Sequence, residues 1–264
     1  MLLTNFLQKR KSVRDFEVNT IPKSKLSLIK EKAQETMENE KDLSFVMFEN
    51  GKIISDSLKG KAGYCGVMIN APHYIGLKLK DRSSEVRLKE GYFLEKLNTI
   101  IVNEDFDTCW ITVDQVDEAS AKAAFGEGGE NIDYLIGFGY ALGKKLFDPD
   151  NASPRKAVDE IVFEDDFTKP ASMETLEQRG LFDIFTSIRF VPNHKNLQPW
   201  RFVIKDAYVY LYMVKGLEDS RSLVDCGVIQ MYFEEMAKYM GVKGKWENIL
   251  EDKGEYFEVA KFKM

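Results

Sequence analysis

The sequence predicts an α+β fold, an antiparallel-rich sheet flanked by helices and built as two similar halves. Three observations carry this. Strand and helix candidates are mixed along the chain, whereas a doubly wound parallel sheet needs them to alternate. Two apolar runs at 200–204 and 208–214 are separated only by Lys205-Asp206-Ala207, the length of a hairpin turn between antiparallel strands. One pattern also occurs twice. Gly91 stands nineteen residues before Trp110, and Gly227 nineteen residues before Trp246, with Phe45-Val46 and Phe202-Val203 upstream as the starts of matching hairpins. Two helix–hairpin–helix units of one ancestry explain the recurrence. Chance similarity between two amphipathic helices is the alternative.

Taken in order, Leu3, Phe6 and Leu7 have helical spacing, and the basic run 9–14 follows. Ser24 is placed to cap a helix through Leu26, Ile29 and Ala33. Residues 43–48 and 51–54 read as two short strands around Glu49-Asn50-Gly51. Residues 71–80 alternate as a strand. Gly91 opens an amphipathic helix to 102, and a strand follows at 108–113. A short helix at 118–125, a glycine-rich turn at 126–129 and a strand at 134–140 complete the first half. The segment 144–166 is irregular and charged, with Pro149, Asn151 and Pro154, and connects the halves. A helix over 175–190, the 200–214 hairpin and a long helix over 225–241 make the second. The division falls at 1–165 and 166–264.

A chain of 264 residues holds one large domain or two small ones and buries a sizeable core. The net charge of −6 excludes a general nucleic-acid binder, which carries a basic surplus. No apolar run approaches the roughly 18 residues of a membrane span. The first residues, MLLTNFLQKRKSVRDF, lack the pattern of a signal peptide, so the expected location is cytoplasmic. Three scattered cysteines and two histidines give no disulfide framework, no metal site and no His-based triad. An enzyme so poor in His and Cys borrows its chemistry from a cofactor.

Two segments carry chemistry. Arg10-Lys11-Ser12-Val13-Arg14 sets three cations and a hydroxyl within five residues, which suits a phosphate. A solvated charged face is the plainer reading. Residues 192–200, PNHKNLQPW, form a polar loop between a helix and a strand. Its amides suit the edge of a heterocycle, and Pro and Trp suit the wall of a flat ring. The plainer reading is a tight connection, with Trp200 in the core. Glycines 126–129 lack the G-x-x-x-x-G-K pattern and read as a turn, and His73 reads as a structural histidine.

Arg10-Lys11-Ser12-Val13-Arg14-Asp15-Phe16 resembles the R-R-S-x-R-x-F opening of the FMN-dependent nitroreductase family. Asn196-Leu197-Gln198-Pro199-Trp200-Arg201-Phe202 resembles its N-x-Q-P-W-x-F motif. In typical members the second motif follows the first by about one helix, and FMN lies across a homodimer interface. Here residues 38–45, ENEKDLSF, have lost the second motif, and 165–172, DDFTKPAS, lack the first. The chain therefore resembles a fused, single-chain branch in which two halves imitate two subunits. The resemblance extends through 91–110, 132–140 and 154–162.

That resemblance implies one FMN per chain, set between the halves, and a monomer, since fusion removes the usual reason to dimerise. Arg10 and Ser12, with one of Arg155 or Lys156, hold the phosphate, and Lys11 is a further cofactor-binding residue. Arg14 lies beside the pyrimidine edge. Thr112 and Val113 present backbone N–H groups to the ring, Tyr64 touches it, and Pro192, Asn193 and Asn196 frame it. NAD(P)H then reduces the flavin, and a small acceptor such as a nitroaromatic or quinone takes the electrons without a protein nucleophile. The competing reading is a non-enzymatic FMN-binding protein for sensing, storage or partner docking.

Overall fold

The computed structural model describes residues 7, 12–63, 66–143 and 154–264. The chain forms two compact units that are discontinuous in sequence: residues 11–82 with 94–150, and residues 1–10 and 83–93 with 151–264.

In the first unit, helix α1 (Lys23–Met37) buries Leu26, Ile29, Ala33 and Met37. It starts at Pro22, whose carbonyl accepts from the N–H groups of Lys25 and Leu26, so Ser24 lies inside the helix and does not cap it. Strand β1 (Leu43–Phe48) follows. The expected second strand at 51–54 is instead helix α2 (Gly51–Ser57). Gly51, Ile54, Ser55 and Leu58 are the buried positions, the i, i+3, i+4, i+7 stripe of a helix. The Asn50-Gly51 pair looked like a hairpin turn. Gly51 begins the helix because its N–H donates to Pro72 O at 2.8 Å.

Strand β2 (His73–Leu79), helix α3 (Ser84–Asn103) and strand β3 (Asp107–Thr112) come next, with residues 84–93 of α3 belonging to the other unit. Helix α4 (Glu118–Phe125) keeps the predicted bounds, capped by the Asp117 carboxylate on Ser120 N–H at 2.9 Å and ended by Gly126 at φ +78°. Strand β4 (Tyr134–Gly139) is buried throughout. The sheet order is β1-β2-β4-β3, antiparallel at every pair. Trp110 on β3 donates Nε1–H to the buried Glu95 of α3 at 2.8 Å.

His73 behaves as the sequence implied. It is 1% exposed, its Nε2 accepts from Ile21 N–H at 3.1 Å and its Nδ1 donates to Glu49 O at 2.7 Å. Burial lowers its pKa below the usual value. The folded chain thus holds it neutral where the unfolded chain binds a proton. Stability is lost as pH falls below about 6.5, by at most about 1.4 kcal/mol per pH unit. The stability difference between the parent and His73→Gln, from urea melts between pH 7.5 and 5, should show this slope. An unchanged slope in the variant would remove His73 as its source.

The second unit opens with β5 (Val162–Glu164), which runs parallel to β6 (Trp200–Lys205). The helix expected over 175–190 is two helices, α5 (Met173–Gln178) and α6 (Phe182–Ile188), broken at Gly180 with φ +67°. Strand β7 (Tyr208–Val214) pairs with β6 through a tight turn in which Asp206 takes φ +53°. Helix α7 (Asp219–Tyr239) starts six residues before the predicted point. A hairpin of β8 (Trp246–Lys253) and β9 (Tyr256–Lys263) ends the chain.

The sheet order is β5-β6-β7-β9-β8. Four successive strands therefore have the same spatial order in both units, 1-2-4-3 in the first and 6-7-9-8 in the second, although the first unit carries extra helices between its strands. The sequence recurrence has its counterpart in topology. The recurring glycines do not open helices, however. Gly91 and Gly227 lie inside α3 and α7, where those two helices cross. A Cβ on Gly91 would stand 1.9 Å from Val224 O, and one on Gly227 2.0 Å from Leu88 O. Only glycine permits that backbone approach. α7 is buried from Ser222 to Phe233, as a helix hydrophobic on all sides should be. Trp200, Phe185, Phe202, Phe233 and Phe262 form the aromatic centre of this core.

Candidate functional site

The segment from α6 to β6 is the most strained in the second unit. Val191 is fully buried, Asn193 is extended, and a single 3-10 turn (His194–Asn196) follows. Lys195, Asn196 and Gln198 take φ of 48°, 57° and 48°. Non-glycine residues in that region cost roughly 1–3 kcal/mol each and persist only where the surroundings hold them.

The holders are all in place. Asn193 Oδ1 accepts from Gln198 N–H at 2.8 Å, and Asn193 Nδ2 donates to Val191 O at 3.1 Å. Both carboxylate oxygens of Asp225, on α7, lie 3.0 and 3.1 Å from the His194 amide nitrogen. Gln198 Oε1 accepts from Lys156 N–H at 2.7 Å. Asn196 Nδ2 donates to Pro154 O at 2.8 Å, and its Oδ1 accepts from the Arg155 guanidinium. Arg189, just past α6, donates from Nη2 to Arg155 O at 3.2 Å. The amide loop and the 154–156 segment are thus laced together by side chains forty residues apart.

The electrostatics are lopsided. Arg155 is half-buried, and desolvation alone lowers its pKa. Among the described residues no carboxylate lies within ion-pair distance of Arg155 or Arg189, and the buried Arg189 Nε has no hydrogen-bond partner. Burial pushes Asp225 up to about 8. His194 is turned toward the start of α7, with Nε2 3.1 Å from Glu218 Oε2 and 3.3 Å from Arg221 Nη1. Burial, and then Arg221, lower its pKa.

Five of the expected residues, Arg155, Lys156, Pro192, Asn193 and Asn196, therefore fall in this one region, Lys156 through its backbone N–H. Gln198 belongs with them. Arg189 and Asp225 were not singled out from the sequence. The signal for Asp225 was a carboxylate inside an apolar helical run; Arg189 looked like an ordinary helix end. Trp200 is wholly buried, as its plainer reading held.

The other expected residues belong to the first unit. Ser12 and Arg14 are exposed, and Val13 N–H donates to Thr108 O at 3.0 Å, which fixes the run beside β3. Thr112 closes β3, and its carbonyl accepts from Gly63 N–H at 2.9 Å. The Val113 N–H is already given to Asp133 O at 2.9 Å, so a ring contact there would have to replace that bond. Asp133 is itself buried and gripped by Arg82 at 2.8 Å. Arg10, Lys11 and Tyr64 lie outside the described residues. No group of three or more His, Cys, Asp or Glu stands together as metal ligands among the described residues, and no described helix is long and apolar enough to cross a membrane.

The two antiparallel-rich sheets with their repeated 1-2-4-3 strand order make this an α+β protein. A family model described as "Putative TM nitroreductase" matches residues 3–237, and the chain belongs to that family. The fold is shared with a structure titled as a "putative nitroreductase" of Thermotoga maritima MSB8. The two are 16% identical at a TM-score of 0.62, over 99% of this chain and 92% of that one. An FMN-dependent nitroreductase of Clostridium difficile R20291 is 20% identical over 55% of this chain and 91% of its own, at a TM-score of 0.43. A nitroreductase with bound FMN from Bacteroides fragilis NCTC 9343 is 14% identical over 58% and 98%, at 0.42. No curated protein matches the chain.

Proposed function

We propose that the chain is an FMN-dependent oxidoreductase of nitroreductase type, with NAD(P)H as donor and a nitroaromatic, quinone or similar small molecule as acceptor. The observation that carries this is the strained loop 193–198, cross-bonded to Arg155, in a member of a nitroreductase family. The residues fit a phosphate-bearing cofactor, because among the described residues the buried Arg189 Nε has no hydrogen-bond partner and the half-buried Arg155 has no carboxylate within ion-pair distance.

When bound, FMN supplies the two-electron chemistry. The chain's own part is binding and placement. Arg10 and Ser12, with one of Arg155 or Lys156, hold the phosphate. Arg14 stabilises negative charge at the pyrimidine edge of the ring. Pro192, Asn193 and Asn196 frame the ring from a loop whose hydrogen bonds fix its geometry before the ligand arrives, which lowers the ordering cost of binding.

Purified protein should be yellow and should oxidise NAD(P)H when menadione or a nitrofuran is added. A yellow protein with no such turnover would leave a binding protein and not an enzyme. We assign one FMN to each chain, which acts as a monomer, because each half carries one of the two motifs. Titration of FMN into apo-protein should saturate near one equivalent. Saturation near two would show that both halves bind independently.

A further inference from the structure

We infer that the free edge of β1 is a docking site for an extended apolar strand of another protein, which adds to the first sheet parallel to β1.

The four sheet edges are not built alike. β8 carries Glu247, Glu251, Asp252 and Lys253, with a register shift between Asn248 and Glu251. β5 is three residues long and is covered by its own turn, where Glu164 N–H donates to Lys169 O at 2.8 Å and Ala171 N–H to Val162 O at 2.9 Å. β3 accepts at Thr108 O from Val13 N–H at 3.0 Å. Charges, bulges, short strands and covering loops are the usual ways of blocking an edge. β1 has none of them. Its sequence, LSFVMF, holds no charge and no proline, and its pairing with β2 runs without a register shift. Among the described residues no backbone hydrogen bond joins β1 to anything but β2.

The second unit shows what fits. β6 holds the end position in 6-7-9-8 that β1 holds in 1-2-4-3, and Phe45-Val46 of β1 recur as Phe202-Val203 of β6. β6 is not an edge, because β5 lies parallel beside it, with Val162 opposite Phe202, Phe163 opposite Val203 and Glu164 opposite Ile204. Phe202 N–H donates to Ile161 O at 2.7 Å, and Asp165 N–H to Ile204 O at 2.9 Å. Phe202, Val203 and Ile204 are 0%, 4% and 1% exposed, whereas Phe45, Val46 and Met47 are only half-buried. The added strand accounts for the difference.

The backbone groups that β6 offers to β5 belong to Phe202 and Ile204. On β1 the equivalent groups belong to Phe45 and Met47. These two residues alternate with Val46 and Phe48 across the sheet, and all four are half-exposed. The occupant therefore needs apolar side chains on both faces. Strand addition of this kind draws affinity from main-chain bonds and specificity from alternate side chains.

The probe is a labelled, end-capped peptide with the sequence of residues 158–166, VDEIVFEDD, which includes the strand that β6 already takes. It should bind full-length protein saturably and slow amide exchange at Phe45 and Met47. The same peptide with Phe163→Pro should bind about tenfold more weakly, since proline has no ladder donor. In the protein, Met47→Pro deletes an outward N–H and should weaken the parent peptide by about tenfold. Met47→Lys, a charge of the kind that blocks natural edges, should do the same if the proline variant does not fold. No binding, protection away from residues 43–48, equal binding of the proline peptide, or binding unchanged by Met47→Lys would overturn the docking edge. A parent that sediments as a dimer, which Met47→Lys dissolves, would give the edge to a second copy of the chain and overturn the partner strand.

Discussion

Gly227→Val should melt roughly 5–10 °C below the parent chain. The Cβ position at Gly227 stands 2.0 Å from the Leu88 carbonyl oxygen, and the obstructing atom is backbone, so no side-chain rotation relieves it. The helices α3 and α7 must separate, and α7 is the most deeply buried helix of its unit. Overpacking of a close-packed core costs roughly 1–3 kcal/mol, and a backbone collision lies at the upper end of that range. Gly91→Ala and Gly227→Ala should also be less than additive in a double-mutant cycle. Once one substitution has parted the helices, the second meets a wider gap. Full additivity would mean that the two glycines do not share one crossing.

Asp225→Asn should melt above the parent at pH 8, with the difference shrinking toward pH 4. Burial pushes Asp225 up to about 8, so the folded chain keeps a proton that the unfolded chain has lost. The unfolded state binds fewer protons between roughly pH 4 and 8, and stability falls as pH rises across that window. Asparagine has the same shape, still accepts from His194 N–H and does not ionise. Asp225→Leu tests the other role. It leaves the His194 N–H without its buried acceptor, which costs about 1–3 kcal/mol, and frees a loop held in left-handed geometry at three positions. It should therefore also weaken FMN binding. Identical pH profiles for parent and Asp225→Asn would show that Asp225 ionises freely. The His73 effect has the opposite slope and overlaps this window below about pH 6.5, so each is read from the difference between its variant and the parent and not from the parent profile.

Local signals translated well where the local environment decides the outcome. Asp117 and Gly126 bracket α4 because a cap and a left-handed stop act within one turn. The β6–β7 hairpin was legible because two apolar runs are joined by only Lys205-Asp206-Ala207, which leaves room for nothing but a tight turn. Failures have particular causes. Ile53-Ile54 after Asn50-Gly51 looked like a strand after a turn. The contact between Gly51 N–H and Pro72 O, across twenty residues of chain, made it a helix. Gly180 broke a helix whose apolar spacing ran past it. The β8–β9 hairpin went unread because WENILEDK lies at a sheet edge, with a register shift between Asn248 and Glu251, and keeps no clean alternation.

Composition, the two motifs and the repeated glycine-to-tryptophan spacing were properties of the chain alone. They were enough for the fold class, the family and the residue types of the candidate site, because short-range chemistry writes those into sequence. Tertiary structure decided which of these residues meet. It set Arg155 against Asn196 and gave Val113 N–H to Asp133. It set Arg189 Nη2 on the Arg155 carbonyl and a buried Asp225 carboxylate on the His194 N–H. Those contacts span 20 to 41 residues and depend on where helices and strands come to rest. Desolvation, which shifts charges and leaves donors unsatisfied, exists only once that packing has removed the water.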